Sequence, residues 1–259
     1  MEQHGTFDHK VDKASVPVCP ILGVKLAAID MPWLLSFTQE HLKELSGDYI
    51  CVSNVHTTVT AYEDPGYLAV QNGGILAIPD GGPLSSTGRK RGYAQMRRVT
   101  GPDYMKKCLE LGLDKGWRHY FYGGTQQTLD ILGEVLPQRY PGIQIAGMYS
   151  PPFRPLTEEE DQADMERIAQ ADPDFLWVGL GAPKQEKWMR AHQGRACGLM
   201  VGVGAAFDYE AGNIKRAPRW MQDHDMEWIY RLMQDPKRLY KRYLHTNMVY
   251  VVEAELRGK

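Results

Sequence analysis

Asp80 closes a short apolar run, Ile75-Leu-Ala-Ile-Pro79, and two glycines follow it. A carboxylate at the carboxyl end of a buried strand, with backbone room beside it, suits a general base. An aspartate that only hydrogen-bonds its own turn would give the same local pattern. A second stretch, Val178-Gly-Leu-Gly181-Ala-Pro-Lys-Gln-Glu186, sets two glycines ahead of a helix start. Glycines at 179 and 181 let the backbone turn and approach a ligand, and Pro183 suits a first helical position behind Ala182 as N-cap. Ala182 has no capping side chain, so the N–H groups of Lys184 and Gln185 stay open to an anion at the positive helix end. Gln185 and Glu186 then offer amide and carboxylate contacts to a nucleoside. The competing reading is an ordinary tight connection. A third stretch, Gly202-Val-Gly204-Ala-Ala-Phe-Asp208, is a further ligand loop of this kind. Both lack the third glycine of the dinucleotide fingerprint, and no G-x-x-x-x-G-K-[ST] occurs, which argues against a nicotinamide enzyme and excludes a P-loop.

Cations cluster in two places. Arg89, Lys90, Arg91, Arg97 and Arg98 fall between Gly81 and Pro102 with no acid among them, reading as a phosphate-facing or a solvated loop. From Trp228 to His245, five Lys/Arg stand against the single Asp235. Arg238 and Arg242 share a helix face with Lys241 beside them, amid Trp228, Tyr240 and Tyr243. Such a segment suits a lipid diphosphate or an anionic membrane surface; a helix packed on the core with its charges in water fits equally. Two D-x-D strings, Asp172-Pro-Asp174 and Asp223-His-Asp225, read as incidental. The first lies at the amino end of its strand, and the second in a helical tail without neighbouring ligands. No metal or other cofactor is expected, and the tail arginines are the natural cations.

These residues need a frame to bring them together. Short β-branched or aromatic runs at 21–26, 49–53, 75–79, 119–122, 143–147, 174–179 and 199–203 alternate with helical stretches at 32–45, 57–72 (with a break at Pro65), 102–113, 126–136, 158–169 and 183–192. Thr157 and Glu160 form a capping box. The alternation predicts an α/β fold, a mostly parallel Rossmann-like sheet with helices on both faces. Residues 1–16 read as a flexible tail, 17–215 as the catalytic domain and 216–259 as a helical appendage. In open sheets of this type ligands sit beyond the carboxyl ends of the strands. Five loops would line that rim: Ser53-Asn54, Asp80-Gly-Gly82, Gly123-Gly124-Thr125, Gly179-Leu-Gly181 and the stretch from Gly202 to Asp208.

The bulk properties narrow the setting. A net charge of −2 points away from nucleic acid. The four cysteines form no C-x-x-C pair, which suits a reducing compartment. No apolar run approaches the roughly 18–20 residues that span a bilayer, and the first residues are not signal-like. The expectation is a cytosolic protein.

The stretches YICVSNVHTTV, PDGGPL, RRVTGPDYM, YFYGGTQQTL, VGLGAPKQEKWM, GVGAAFDYEAGNIKRAPRWM and EWIYRLMQDPKRLYKRYL occur in order. Together they resemble the WecG/TagA/CpsF family of bacterial cell-surface polysaccharide glycosyltransferases, from about Ile21 to Leu244. The resemblance implies an inverting, metal-independent transferase that moves a sugar from a UDP-sugar, N-acetylmannosamine in the best-known relatives, to a polyprenyl-diphosphate-linked saccharide at the cytoplasmic membrane face. The family's catalytic aspartate falls on Asp80, its asparagine on Asn54, its loop arginine on Arg98 and its P-K-Q-E glutamine on Gln185. The cations of its C-terminal appendage fall near Arg231, Arg238 and Lys241 or Arg242. Two departures bear on the sugar and acceptor pocket: Val52 stands where some relatives have threonine, and SSTGRKRG after Asp80 is more polar and basic than the usual run. Peripheral membrane association follows from the resemblance, and a second copy of the chain is a further candidate partner. Two rival functions keep the same fold: a sugar-nucleotide epimerase, and a non-catalytic subunit of a polysaccharide assembly complex.

Overall fold

The computed structural model describes residues 7–224 and 226–259. In chain order the elements are β1 (Val18–Ile21), β2 (Val24–Ala27), α1 (Met31–His41), β3 (Tyr49–Ser53), α2 (Val55–Glu63), α3 (Pro65–Gly73), β4 (Leu76–Pro79) and α4 (Gly82–Lys90). There follow α5 (Gly101–Lys115), β5 (Arg118–Gly123), α6 (Gln126–Arg139), β6 (Gln144–Tyr149), α7 (Glu158–Ala171), β7 (Phe175–Gly179), α8 (Lys184–Ala191), β8 (Leu199–Gly202) and α9 (Ala206–Ala211). The chain then turns helical, with α10 (Arg219–Asp223), α11 (Glu227–Gln234), α12 (Pro236–Tyr250) and a π-helical turn at Val251–Leu256.

The eight strands form one sheet in the order β1-β2-β4-β3-β8-β7-β5-β6. Only β1 runs antiparallel to its neighbour; every other pairing is parallel. A parallel sheet must be covered on both faces, and side-chain alternation shows that it is. Ile50, Val52, Phe175 and Trp177 enter one core with residues of α1, α5, α6 and α9. Tyr49, Cys51, Leu176 and Val178 enter the other, beneath α2, α4, α7 and α8.

The local chemistry of helix starts is consistent. Asp30, Asn54, Asp64, Thr100, Thr125 and Thr157 each accept a backbone N–H in the first turn of the helix that follows, which satisfies donors left orphaned at a helix N-terminus. Thr157 and Glu160 do form the expected box, and Asn54 with Thr57 forms another.

Three expectations change. The run at 21–26 is a hairpin rather than one strand, because Leu22 and Gly23 both take positive φ and reverse the chain. The break expected at Pro65 is present: α2 and α3 part at Asp64-Pro65. Residues 82–90, read as loop, form α4, since Leu84 packs in the core and the buried Thr87 bonds the Tyr250 hydroxyl at 2.7 Å. Residues 7–16 are not loose: Val11 and Val16 are buried in the core, His9 Nδ1 lies 2.5 Å from Asp48 Oδ2, and Lys13 Nζ donates to the Asn72 carbonyl at 2.7 Å. Residues 1–6 lie outside the described residues.

The C-terminal segment returns to the body. Tyr250 and Ala254 are buried in the second core. The Tyr250 hydroxyl lies 2.7 Å from Thr87 Oγ1, and Arg91 donates to the Ala254 and Lys259 carbonyls.

Candidate active site

Because β4, β3, β8, β7 and β5 are consecutive and parallel, the five candidate loops follow one another along a single edge. Neighbouring strands lie about 4.8 Å apart, so Asp80 and Gly181, at the ends of β4 and β7, are three strand spacings or roughly 14 Å apart along the rim.

A cavity of about 660 Å³ opens at the β4–β3 end of this rim. Asn54, Asp80, Arg98, Arg216, Arg231 and Arg242 line it. The C-terminal segment supplies much of its wall, including Glu227, Trp228, Tyr243 and Asn247. Residues more than 130 positions apart in the chain are thus brought to one space by the return of α11 and α12 over the rim.

Asp80 is fixed by its backbone, its N–H donating to the Ser53 carbonyl at 2.7 Å. Among the described residues, no group hydrogen-bonds its carboxylate. The turn-aspartate alternative therefore does not describe it. Burial raises its pKa above the usual aspartate value, opposed by Arg98 and Arg231, while Glu227 adds to the rise. A carboxylate in this state is a better proton acceptor than a solvated one.

The cations are held differently. Arg98 donates to Glu227 and, at 3.2 Å, to the Gln222 carbonyl. Arg216 grips Asp103 through two bonds of 2.5 and 2.9 Å, with its Nε 3.6 Å from Glu227. Neither Arg231 nor Arg242 has a carboxylate in contact among the described residues. Arg231 Nε donates to the Tyr209 hydroxyl at 2.8 Å, and the buried Arg242 Nε has no partner. These two guanidinium groups retain capacity for an anion. Lys241 is exposed and does not line the cavity. The side chain of Arg238 and all of Asp225 lie outside the described residues. Of the remaining cations of the 81–102 segment, Lys90 pairs with Glu255 at 2.7 Å at the cavity wall, while Arg89, Arg91 and Arg97 bind backbone carbonyls.

Farther along the rim the glycine loops lie outside this cavity. Gln185 is 3% exposed. Its Oε1 accepts from both Gly181 and Gly204 N–H at 3.2 Å, and its Nε2 donates to Glu186 Oε1 at 2.8 Å. Gln185 thus latches two loops together. Gly202 makes room for it: a Cβ there would sit 2.9 Å from Gln185 Nε2. Glu186 is fully buried, with its pKa raised by desolvation. The helix cap is also revised. Pro183, not Ala182, is the N-cap of α8, and the Gln185 N–H already donates to the Gly181 carbonyl at 2.9 Å. Lys184 lines a separate cavity of about 730 Å³ on the far side of this loop, with Tyr122 and Trp188.

Gly124 and Thr125 open α6, where Thr125 accepts from the Thr128 N–H at 3.1 Å. Asp208 Oδ1 accepts from Thr128 Oγ1 at 3.1 Å and from Asn213 Nδ2 at 3.2 Å. This polar cluster joins the Gly124 and Gly204 loops. Sequence reasoning missed Arg216, Glu227 and His56. Arg216 sat in a stretch with no basic periodicity, and Glu227 stands one residue before the cationic stretch. His56 follows Asn54 at a spacing that becomes informative only once α2 is known to start at Val55.

Among the described residues, no cluster of His, Cys, Asp and Glu assembles with metal-binding geometry, and no helix is long and apolar enough to cross a membrane. Asp174 Oδ2 accepts from the Arg118 N–H at 2.8 Å, away from the rim.

The family described as glycosyl transferase WecG/TagA/CpsF matches residues 19–258. The curated N-acetylglucosaminyldiphosphoundecaprenol N-acetyl-beta-D-mannosaminyltransferase of Bacillus spizizenii is 31% identical over 199 residues, 76% of each chain. The proteins of the same name from Bacillus subtilis strain 168 and Staphylococcus aureus strain MW2 are 30% and 29% identical, over 81% and 74% of this chain and 80% and 74% of theirs.

Proposed function

This chain belongs to the glycosyl transferase WecG/TagA/CpsF family, and on that premise we propose that it is an inverting, metal-independent transferase. It moves a sugar from a UDP-sugar to a polyprenyl-diphosphate-linked saccharide. The relatives' names specify an N-acetylmannosaminyl group and an N-acetylglucosaminyl-diphospho-undecaprenol acceptor, so this pair is the first to test, with UDP-glucose as the next donor.

The observation that carries the reading is Asp80: a half-buried carboxylate that no group among the described residues hydrogen-bonds, in a cavity rich in arginine. The acceptor hydroxyl oxygen attacks the anomeric carbon on the face opposite UDP. Its proton passes to Asp80 as the bond to the UDP oxygen breaks. Arg231 and Arg242, with Arg98, offset the charge that develops on the departing diphosphate. Residues from about 216 onward act as the appendage that closes the site.

The acceptor's lipid requires a membrane, and α12 supports peripheral docking. Tyr240, Leu244 and Met248 recur at four-residue spacing and are 51–62% exposed, giving an apolar stripe with Lys241 beside it. The protein works on this reading at the cytoplasmic face.

The test is an incubation of the full chain with UDP-N-acetylmannosamine and a short-chain prenyl-diphosphate-linked N-acetylglucosamine, followed by NMR. The reading expects UDP release and a disaccharide of inverted anomeric configuration. Conversion of free donor to its epimer would make the protein an isomerase instead. Release of no UDP with any donor would leave a non-catalytic subunit.

A further inference from the structure

Grouped by the elements that carry them, the residues lining the cavity make two arms of different chemistry, and Asp80 lines the same cavity. One arm, around α5 and α11, carries Arg98, Arg216, Glu227 and Arg231. The other, from α2, α4 and α12, includes His56, Ser86 and Asn247. We propose that this second arm is the recognition site for the acceptor's saccharide, with Ser86 and Asn247 as its specificity-determining side chains and His56 supporting them. The assignment rests on the transferase reading above and goes further, to which wall of the cavity meets which substrate.

Ser86 and Asn247 are half-buried, and among the described residues neither side chain has a hydrogen-bond partner. A polar side chain that lines a cavity without a protein partner keeps its hydrogen-bonding groups for water or a ligand. A hydroxyl on α4 and an amide on α12, both unengaged and both lining one cavity, leave donors and acceptors for a ligand. His56 adds a third. Burial, and then Arg242, push its pKa down to about 4, so its imidazole is neutral near pH 7. Its Nδ1 lies 3.3 Å from Thr60 Oγ1, which leaves Nε2 for another partner.

The charges at this end are largely neutralised within the protein. Lys90 pairs with Glu255, which also accepts from Thr87. Arg242, at the junction with the first arm, is the exception and suits the diphosphate side. A wall of neutral polar groups interleaved with Val55, Pro83 and Val251 matches a pyranose, whose hydroxyl and acetamido groups alternate with apolar C–H faces. The arginine-rich arm matches a nucleoside diphosphate. The placement also suits the reaction. Ser86 lies four residues into α4 from Gly82, roughly 6 Å along the helix axis, which is the scale of a sugar ring seated with one hydroxyl toward Asp80. Val251 lines the cavity and is 49% exposed, so an apolar tail on the acceptor can leave past it toward Met248 and Val252.

The experiment compares wild type with Ser86→Ala, Asn247→Ala and the double variant, as full chains. Donor and acceptor KM are measured with UDP-N-acetylmannosamine and the short-chain prenyl-diphosphate-linked N-acetylglucosamine. Acceptor binding is measured separately by calorimetry, with UDP present. Each substitution should raise acceptor KM and Kd roughly 3–10-fold, the loss expected for one neutral hydrogen bond, while donor KM and UDP affinity hold. A rise in donor KM instead, or no change in either, overturns the assignment, as does failure of wild type to bind the acceptor analogue. Because Ser86 and Asn247 stand on different helices, either single variant suffices if the other does not fold. The two readings fail separately: wild type that binds the analogue without transferring sugar refutes the transferase, and the variants' acceptor affinity still judges this arm.

Discussion

At the scale of single residues, the protonation of Asp80 is a balance between burial and its neighbours. Burial and Glu227 favour the neutral acid, while Arg98, Arg231 and Arg216 favour the carboxylate. The base must be ionised to act, so activity falls as pH drops through its raised pKa. Arg231→Met removes one of the opposing charges and must raise that pKa further. The acidic limb of kcat/KM should therefore move to higher pH, together with a loss of turnover from weaker leaving-group stabilisation. An unmoved limb would show that Arg231 does not act on Asp80. The position of Asp80 at the end of an apolar strand was legible in the sequence, but a turn aspartate gives the same local pattern, and what separates the two is its carboxylate, which no described residue hydrogen-bonds. For Gln185 the sequence marked the position but not the latch it makes between two loops. A buried glutamine and a ligand-binding one look alike until Gly202 is seen making room for its amide.

At the scale of elements, α8 and α11 each hold loops through one side chain. Gln185 joins the Gly181 and Gly204 loops, so Gln185→Ala leaves two backbone N–H groups without their acceptor. We expect a stability loss of about 1–3 kcal/mol, read by thermal unfolding, with faster amide exchange at both glycines; unchanged exchange would refute the latch. Glu227 ties α11 to Arg98 and approaches Arg216. Glu227→Gln removes a charge that raises the Asp80 pKa, so the acidic limb should move to lower pH, opposite to Arg231→Met. Amide exchange across α11 should also quicken; a limb moving in the same direction for both variants would contradict the electrostatic account. Strands 49–53 and 199–203 were readable to within a residue because β-branched and aromatic runs bounded by polar loops have no helical period. Helix α4 was not, since SSTGRKRG shows no apolar stripe, and what shapes it is one buried Leu84 with Thr87 bonded to Tyr250, contributed from 163 residues away.

For the whole molecule, alternation of strands and helices implied the parallel sheet and hence a common rim, but not the strand order that puts β3 between β4 and β8. Nor did it show the chain's return. Burial of Tyr250 and Ala254 depends on contacts across the whole fold, and no local pattern encodes such contacts. A chain ending at residue 225 should lose transfer and also unfold at lower temperature, since removing one large buried side chain such as Tyr250 alone forfeits on the order of 1.5–3 kcal/mol. An unchanged melting temperature would show that the C-terminal helices do not cover the core. The central claim joins these scales: one carboxylate on the sheet rim does chemistry beneath helices contributed from the far end of the chain. Single-turnover transfer by Asp80→Asn, with UDP affinity measured on the same preparation, tests it most directly. The account predicts retained UDP binding and a rate lowered about 10²–10⁴-fold; a near-wild-type rate with UDP bound would contradict it.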